Sequence, residues 1–156
     1  MSVCTTVGID PGLVHTGVVA VRLNTNSLVL STSNELFVGP DVQAVKQWVW
    51  QIDKPMVFIE KYRPRSHFGT DERMVKAESE FKRAMPKSTL LDNTGVLKIV
   101  TQDLLELLGL WKFTLPTHHQ DLRSAARIAV LGMLRDPEMN GHLARYVKAE
   151  VLGVHI

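Results

Sequence analysis

Val3-Cys4-Thr5-Thr6-Val7-Gly8-Ile9-Asp10-Pro11-Gly12, with Thr16-Gly17-Val18-Val19-Ala20-Val21 just beyond it, is the stretch that decides how this chain is read. The run from Val3 to Ile9 is apolar and β-branched enough for a strand, and Asp10-Pro11-Gly12 breaks it with three residues that favour a turn. Two more runs of the same kind follow, Gly17 to Leu23 and Leu28 to Val38, joined by the polar connector Asn24-Thr25-Asn26-Ser27. Strands linked this tightly predict an antiparallel meander.

The pattern then changes period. Gly39-Pro40-Asp41 opens a helical stretch with Pro in its first turn, and Val42, Val45, Val49 and Ile52 recur at helical spacing up to Asp53, where Pro55 ends it. Met56-Val57-Phe58-Ile59, closed by Glu60, suits a strand buried on both faces after a crossover helix. Beyond a basic loop, Thr70 is positioned to cap a helix from Asp71 to Ala84 that Pro86 stops. Ser88 to Leu91 reads as a fifth strand, and Val96 to Leu108 as one amphipathic helix ended by Gly109. Trp111 to Pro116 reads as a loop, His118 to Leu134 as an Ala-rich helix, and Leu143 to Val151 as a last short one. The fold class expected is α/β, with three antiparallel strands, then parallel ones, flanked by helices. No repeat, low-complexity tract or linker interrupts the chain, so residues 1–156 are expected to form a single domain.

Composition bounds the function. A chain of 156 residues, 45% hydrophobic and 22% charged, buries roughly 68–70% of its unfolded surface in one core, which excludes disordered, collagen-like and repeat classes. The lone Cys4 builds neither a disulfide framework nor a multi-Cys zinc site, so a reducing intracellular compartment is the default. No apolar run reaches membrane-spanning length, and Met1-Ser2-Val3-Cys4 lacks the basic start of a signal peptide, so a soluble, cytoplasmic protein is expected. The net charge of +2 says little, but its distribution says more: seven of the eighteen Lys and Arg residues lie between Lys61 and Arg83. Lys61, Arg63, Arg65 and His67 form a basic patch with no acid among them in sequence.

Four side chains stand out for chemistry. Asp10 ends the first strand, either as a plain turn residue or as a carboxylate presented where small residues let something approach. Glu60 at the tip of a buried strand needs a partner, either Lys61 or an Arg, or a divalent cation collecting oxygens from separate elements. His118 and Asp121, three apart, share a helix face, although a first-turn acid also serves the helix dipole and a histidine also serves as a cap. Three carboxylates converging would repel one another without a cation between them. Lys98 reads as a phosphate contact or as a solvated helix charge. Trp48, Trp50 and Trp111 are more commonly core fillers than base-stacking platforms.

In combination, Gly8-Ile9-Asp10-Pro11-Gly12 with Thr16-Gly17, then Phe58-Ile59-Glu60, then His118-x-x-Asp121 ahead of an Ala-rich helix, resembles the RuvC-type Holliday junction resolvases of the RNase H-like superfamily. The resemblance implies an RNase H-like fold, a five-stranded mixed sheet flanked by helices. It also implies a homodimer that cuts four-way DNA junctions as a metal-dependent endodeoxyribonuclease, with two Mg2+ or Mn2+ ions per active site. Asp10 falls on the family's first carboxylate, Glu60 on its second and Asp121 on its last, while His118 takes the position three residues before, with His119 as the neighbouring alternative. Lys98 matches a lysine near the site, and Lys61, Arg63, Arg65 and Lys98 would hold DNA phosphates. The stretch from Tyr62 to His67 and the helix after it, the candidate dimer interface, depart from the family pattern. That departure leaves open a relative cutting flaps or forks, and the compact chain looks like a bacteriophage member. A non-catalytic DNA-binding module is the alternative of another class. The actin-like ATPases share the Asp-x-Gly turn but need a duplicated domain that this length excludes.

Overall fold

The computed structural model describes residues 2–64 and 69–153. Its elements are β1 (Val3–Asp10), β2 (His15–Asn24), β3 (Val29–Val38), α1 (Val42–Trp50), β4 (Met56–Glu60), α2 (Glu72–Ala84) and β5 (Thr89–Leu91). They continue with α3 (Val96–Ile99), α4 (Gln102–Leu107), α5 (His119–Arg135) and α6 (Pro137–Leu152). One five-stranded sheet runs in the order β3-β2-β1-β4-β5. The expected meander is present, with β1–β2 and β2–β3 antiparallel, and β1–β4 and β4–β5 parallel.

Alternation along the strands sorts the core into two layers. Val7, Ile9, Val18, Ala20 and Ile59 point to one face, where they cluster with Val45 and Val49 of α1 and Phe81 of α2. Cys4, Val19, Val21 and Phe58 point to the other, where they cluster with Leu122, Ala125, Ile128 and Ala129 of α5. Every α5 residue from Ala125 to Met133 is buried, as befits a helix covered by the sheet on one side and α3, α4 and α6 on the other. The sheet and α5 approach to backbone contact: a Cβ on Gly8 would lie 2.1 Å from the Ala125 carbonyl oxygen, and one on Gly17 would lie 2.5 Å from that of Asp121. Thr6 seals the same seam by donating its hydroxyl to the Ala129 carbonyl at 3.0 Å.

Several boundaries differ from the sequence reading. Pro40 lies outside α1, whose cap is Asp41. Asp71, rather than Thr70, caps α2, its carboxylate accepting from the Arg73 amide at 3.0 Å. The segment Val96 to Leu108 is two helices, because buried Val100 leaves helical geometry and Thr101 caps a new start through the Leu104 amide. The last helix begins at Pro137, ahead of the expected Leu143, with Asp136 accepting from the amides of Glu138 and Met139.

Candidate active site

The turn after β1 is held by the Thr16 hydroxyl and by a backbone bond, the Gly39 amide donating to the Val14 carbonyl at 2.6 Å. Buried Thr16 accepts from the Gly12 amide at 3.2 Å and donates to the Gly39 carbonyl at 3.0 Å, so the end of β1, the start of β2 and the end of β3 are tied together. Gly12 fits because a Cβ there would lie 2.1 Å from the His15 carbonyl oxygen. This turn fixes Asp10, which pairs with Gly17 on β2 and follows Ile9, itself paired with Ile59 on β4. The parallel register therefore sets Asp10 beside Glu60. By alternation both project to the α5 face, Asp10 with Gly8 and Glu60 with Phe58.

α5 brings the third carboxylate. Its first turn rests on the bare backbone at Gly17, which carries Asp121 to the same end of the sheet. Asp10 senses both neighbours: its pKa is pushed from 3.8 up to about 9, first by burial, then by a hydrogen bond and charge repulsion from Glu60, and last by the charge of Asp121. Three acids from three elements thus converge, and one of them keeps its proton at neutral pH. The oxygen-rich, mutually repelling set is the kind that hard divalent cations relieve. Glu60 also accepts a hydrogen bond from the Asn93 side-chain amide, and among the described residues it makes no ion pair, so the Lys61 or Arg partner considered for it is absent there.

The two histidines separate cleanly. His118 caps α5 in a left-handed conformation, φ 62°, outside the helix it was expected to begin, with its Nδ1 3.7 Å from Asp121 Oδ2. His119 faces away, its Nε2 bonded to the Leu115 carbonyl and its ring edge-on to Phe113. His15 at the start of β2, absent from the sequence reading, stands against His118 with ring centroids 4.2 Å apart. Its signal in the sequence is parity with Gly17, two residues on.

Of the basic stretch, Lys61 and Arg63 are among the described residues, and the charges of both reach Asp92. Lys61 is exposed and its amide donates to Leu91, while Arg63 pairs with Asp92 at 3.2 Å. Asp92 is held below the usual carboxylate range chiefly by hydrogen bonds from Thr94, with Arg63 and Lys61 adding to the effect. Arg65 and His67 lie outside the described residues. Lys98 is exposed on α3, following the Gly95 junction whose φ is 72°. Trp48 packs partly into the α1/α2 layer, Trp111 lies under the Arg123 guanidinium at 3.7 Å, and Trp50 is largely exposed beside Lys46.

No family model matches the sequence, and no curated protein matches it. Solved structures do. Thermus thermophilus RuvC in complex with Holliday junction substrate superposes with a TM-score of 0.60, covering 91% of this chain and 95% of that one at 15% identity. A second Thermus thermophilus RuvC structure gives the same score over 90% of this chain and 95% of that one, at 17% identity. The chain has the RuvC fold. The five-stranded mixed sheet and its flanking helices are the RNase H-like arrangement expected from the sequence. Asp10 and Glu60 are the last residues of the neighbouring parallel strands β1 and β4. Among the described residues, no helix is long and apolar enough to cross a membrane.

Proposed function

We propose that this protein is a metal-dependent, structure-specific endodeoxyribonuclease that cuts four-way DNA junctions as a homodimer. The reading is supported by the placing of Asp10, Glu60 and Asp121 at one end of the sheet, where burial and the charges of Glu60 and Asp121 raise the pKa of Asp10. These carboxylates, with His118, are the residues that would hold Mg2+ or Mn2+, two ions per site. Bound there, such ions would lower the pKa of an attacking water and offset charge on the leaving oxygen of a phosphodiester. The chain's own contribution is placement. Register and the Gly17 contact fix the three acids, and the Asn93 amide holds one oxygen of Glu60. His118, exposed on one side, can ligate or carry a proton. No Ser or Cys nucleophile is needed. Lys61, Arg63, Arg65 and Lys98 would hold backbone phosphates without reading bases, Arg63 exchanging Asp92 for phosphate.

The test is a panel of four-way junction, flap, fork and linear duplex offered to purified protein with Mg2+ or Mn2+, followed by mapping of the cuts. Symmetric paired nicks in the junction, with a dimer by light scattering, are expected. Cuts confined to flaps or forks, or a monomer bound to the junction, would replace the resolvase reading with a branch nuclease. Binding without cleavage under either cation would leave a DNA-binding module.

A further inference from the structure

The feature left unused is His15. Its imidazole, that of His118 and the Asp121 carboxylate each offer one ligand atom, and these atoms lie within 4.8 Å of one another. Tetrahedral ligands at about 2.1 Å from one cation are separated by about 3.4 Å, so closing this cluster on an ion draws the donors together by about 1.4 Å at most. The three donors are held from independent directions. His15 stands on β2 two residues before Gly17, on the strand face that carries the first turn of α5, and the Thr16 hydroxyl pins the turn leading to it. His118 is presented by its left-handed backbone and Asp121 by the helix. His15 and Asp121 are partly buried while His118 is exposed, so the cluster is open to solvent on one side.

We propose that His15, His118 and Asp121 form a two-imidazole, one-carboxylate cation position in which His15 is a metal ligand, and that this position selects a transition-metal ion such as Mn2+ over Mg2+. Imidazole nitrogen binds first-row divalent transition ions more tightly than Mg2+, which takes oxygen and keeps its waters; Mn2+ is the hardest of those ions and the one that the neighbouring carboxylates also suit. Asp10 and Glu60, all-oxygen, then form the harder half of the same site. The inference rests on the proposed nuclease reading for the site's purpose, but not for its ligands.

The test measures binding of the metal alone. Calorimetric titration with Mn2+ and with Mg2+ is compared for the wild type, His15→Gln and His15→Phe, with circular dichroism checking that each is folded. Nitrogen couplings in the electron spin-echo of bound Mn2+ count the imidazoles. Both variants should lose about tenfold or more in Mn2+ affinity, with Mg2+ affinity little changed, and the imidazole count should fall from two to one. His15→Phe keeps a ring against His118 without a donor atom; retained Mn2+ affinity in that variant assigns His15 to ring packing and overturns the proposal. Equal losses for both cations, or one imidazole in the wild type, overturn it as well. Failure of the wild type to cut branched DNA would sink the nuclease reading while leaving these measurements intact.

Discussion

Both faces of this sheet bury apolar side chains, but only one lets a helix backbone touch the strands. Towards α1 and α2, the strands offer Val7, Ile9, Val18 and Ile59, and the layer is filled by side chains such as Phe81. Towards the N-terminal half of α5, they offer Gly8 and Gly17, and backbone meets backbone. The same strands serve both, since Ile9 precedes Asp10 and Ile59 precedes Glu60 with opposite directions. Apolar layers on both faces supply stability, and the bare seam at Gly8 and Gly17 supplies position. Close approach is what lets a helix deliver Asp121 to carboxylates standing on strands, and the resulting repulsion is carried by apolar burial a few ångströms away.

That contrast can be broken most directly at Asp10. Asp10→Asn is expected to reduce junction cleavage by at least about 10³-fold, the upper range for removing one charge-stabilising group. Because it also removes a buried acid that must be held protonated, it should raise the melting temperature of the cation-free protein. A lower melting temperature would mean that the acids are not in conflict. Phe81→Ala tests the other layer: a loss of about 3–5 kcal/mol in denaturant melts, with Mn2+ affinity of the folded protein unchanged. Gly8→Ala pushes against a backbone oxygen and is expected to cost about 1–3 kcal/mol. Unlike Phe81→Ala, it should also weaken Mn2+ binding, because α5 carries His118 and Asp121; stability loss alone would separate the seam from the site.

Stability against pH sharpens the comparison further. The folded protein keeps a proton on Asp10 up to about 9, whereas the unfolded chain releases it near 3.8, so the native state binds more protons between those values. Stability of the cation-free protein should therefore fall as pH rises from about 4 to about 9. Glu60 and Asp121 repel the charged form, and His15 and His118 border the same space. Saturating Mn2+ should flatten the fall, as followed by thermal melts at several pH values; a flat profile without cation would remove the buried proton. The smallest effect is expected at Arg63. Arg63→Ala, losing an exposed pair with Asp92, should leave stability nearly unchanged and lower the salt slope of junction binding by at most about 0.9.

Strand order, the crossover helix and the placing of Asp10 and Glu60 at one edge of the sheet were legible in the sequence because each rests on local period and on alternation along strands. His15 was not, since its direction depends on β2 starting two residues before Gly17, and a strand's first residue is set by the partner β3. Asn93 was hidden for a different reason: its contact with Glu60 spans the β4–β5 pairing, which no local pattern encodes. The basic stretch was legible as charge, whereas the pairing of Arg63 with Asp92 was not, because Asp92 returns from a distant segment. Two cap signals were present yet outweighed. Thr101 interrupts an apolar stripe that continues across it, and Asp136-Pro137 resembles a loop until its carboxylate is seen on the helix amides.

The Thr16 clamp carries one more consequence. The Gly12 amide has that hydroxyl as its acceptor, so its hydrogen is traded with solvent only when the clamp opens. The exchange rate at Gly12 is thus a clock for the opening of that contact, which works beside the bond from the Gly39 amide to the Val14 carbonyl in shaping the corner between Asp10 and His15.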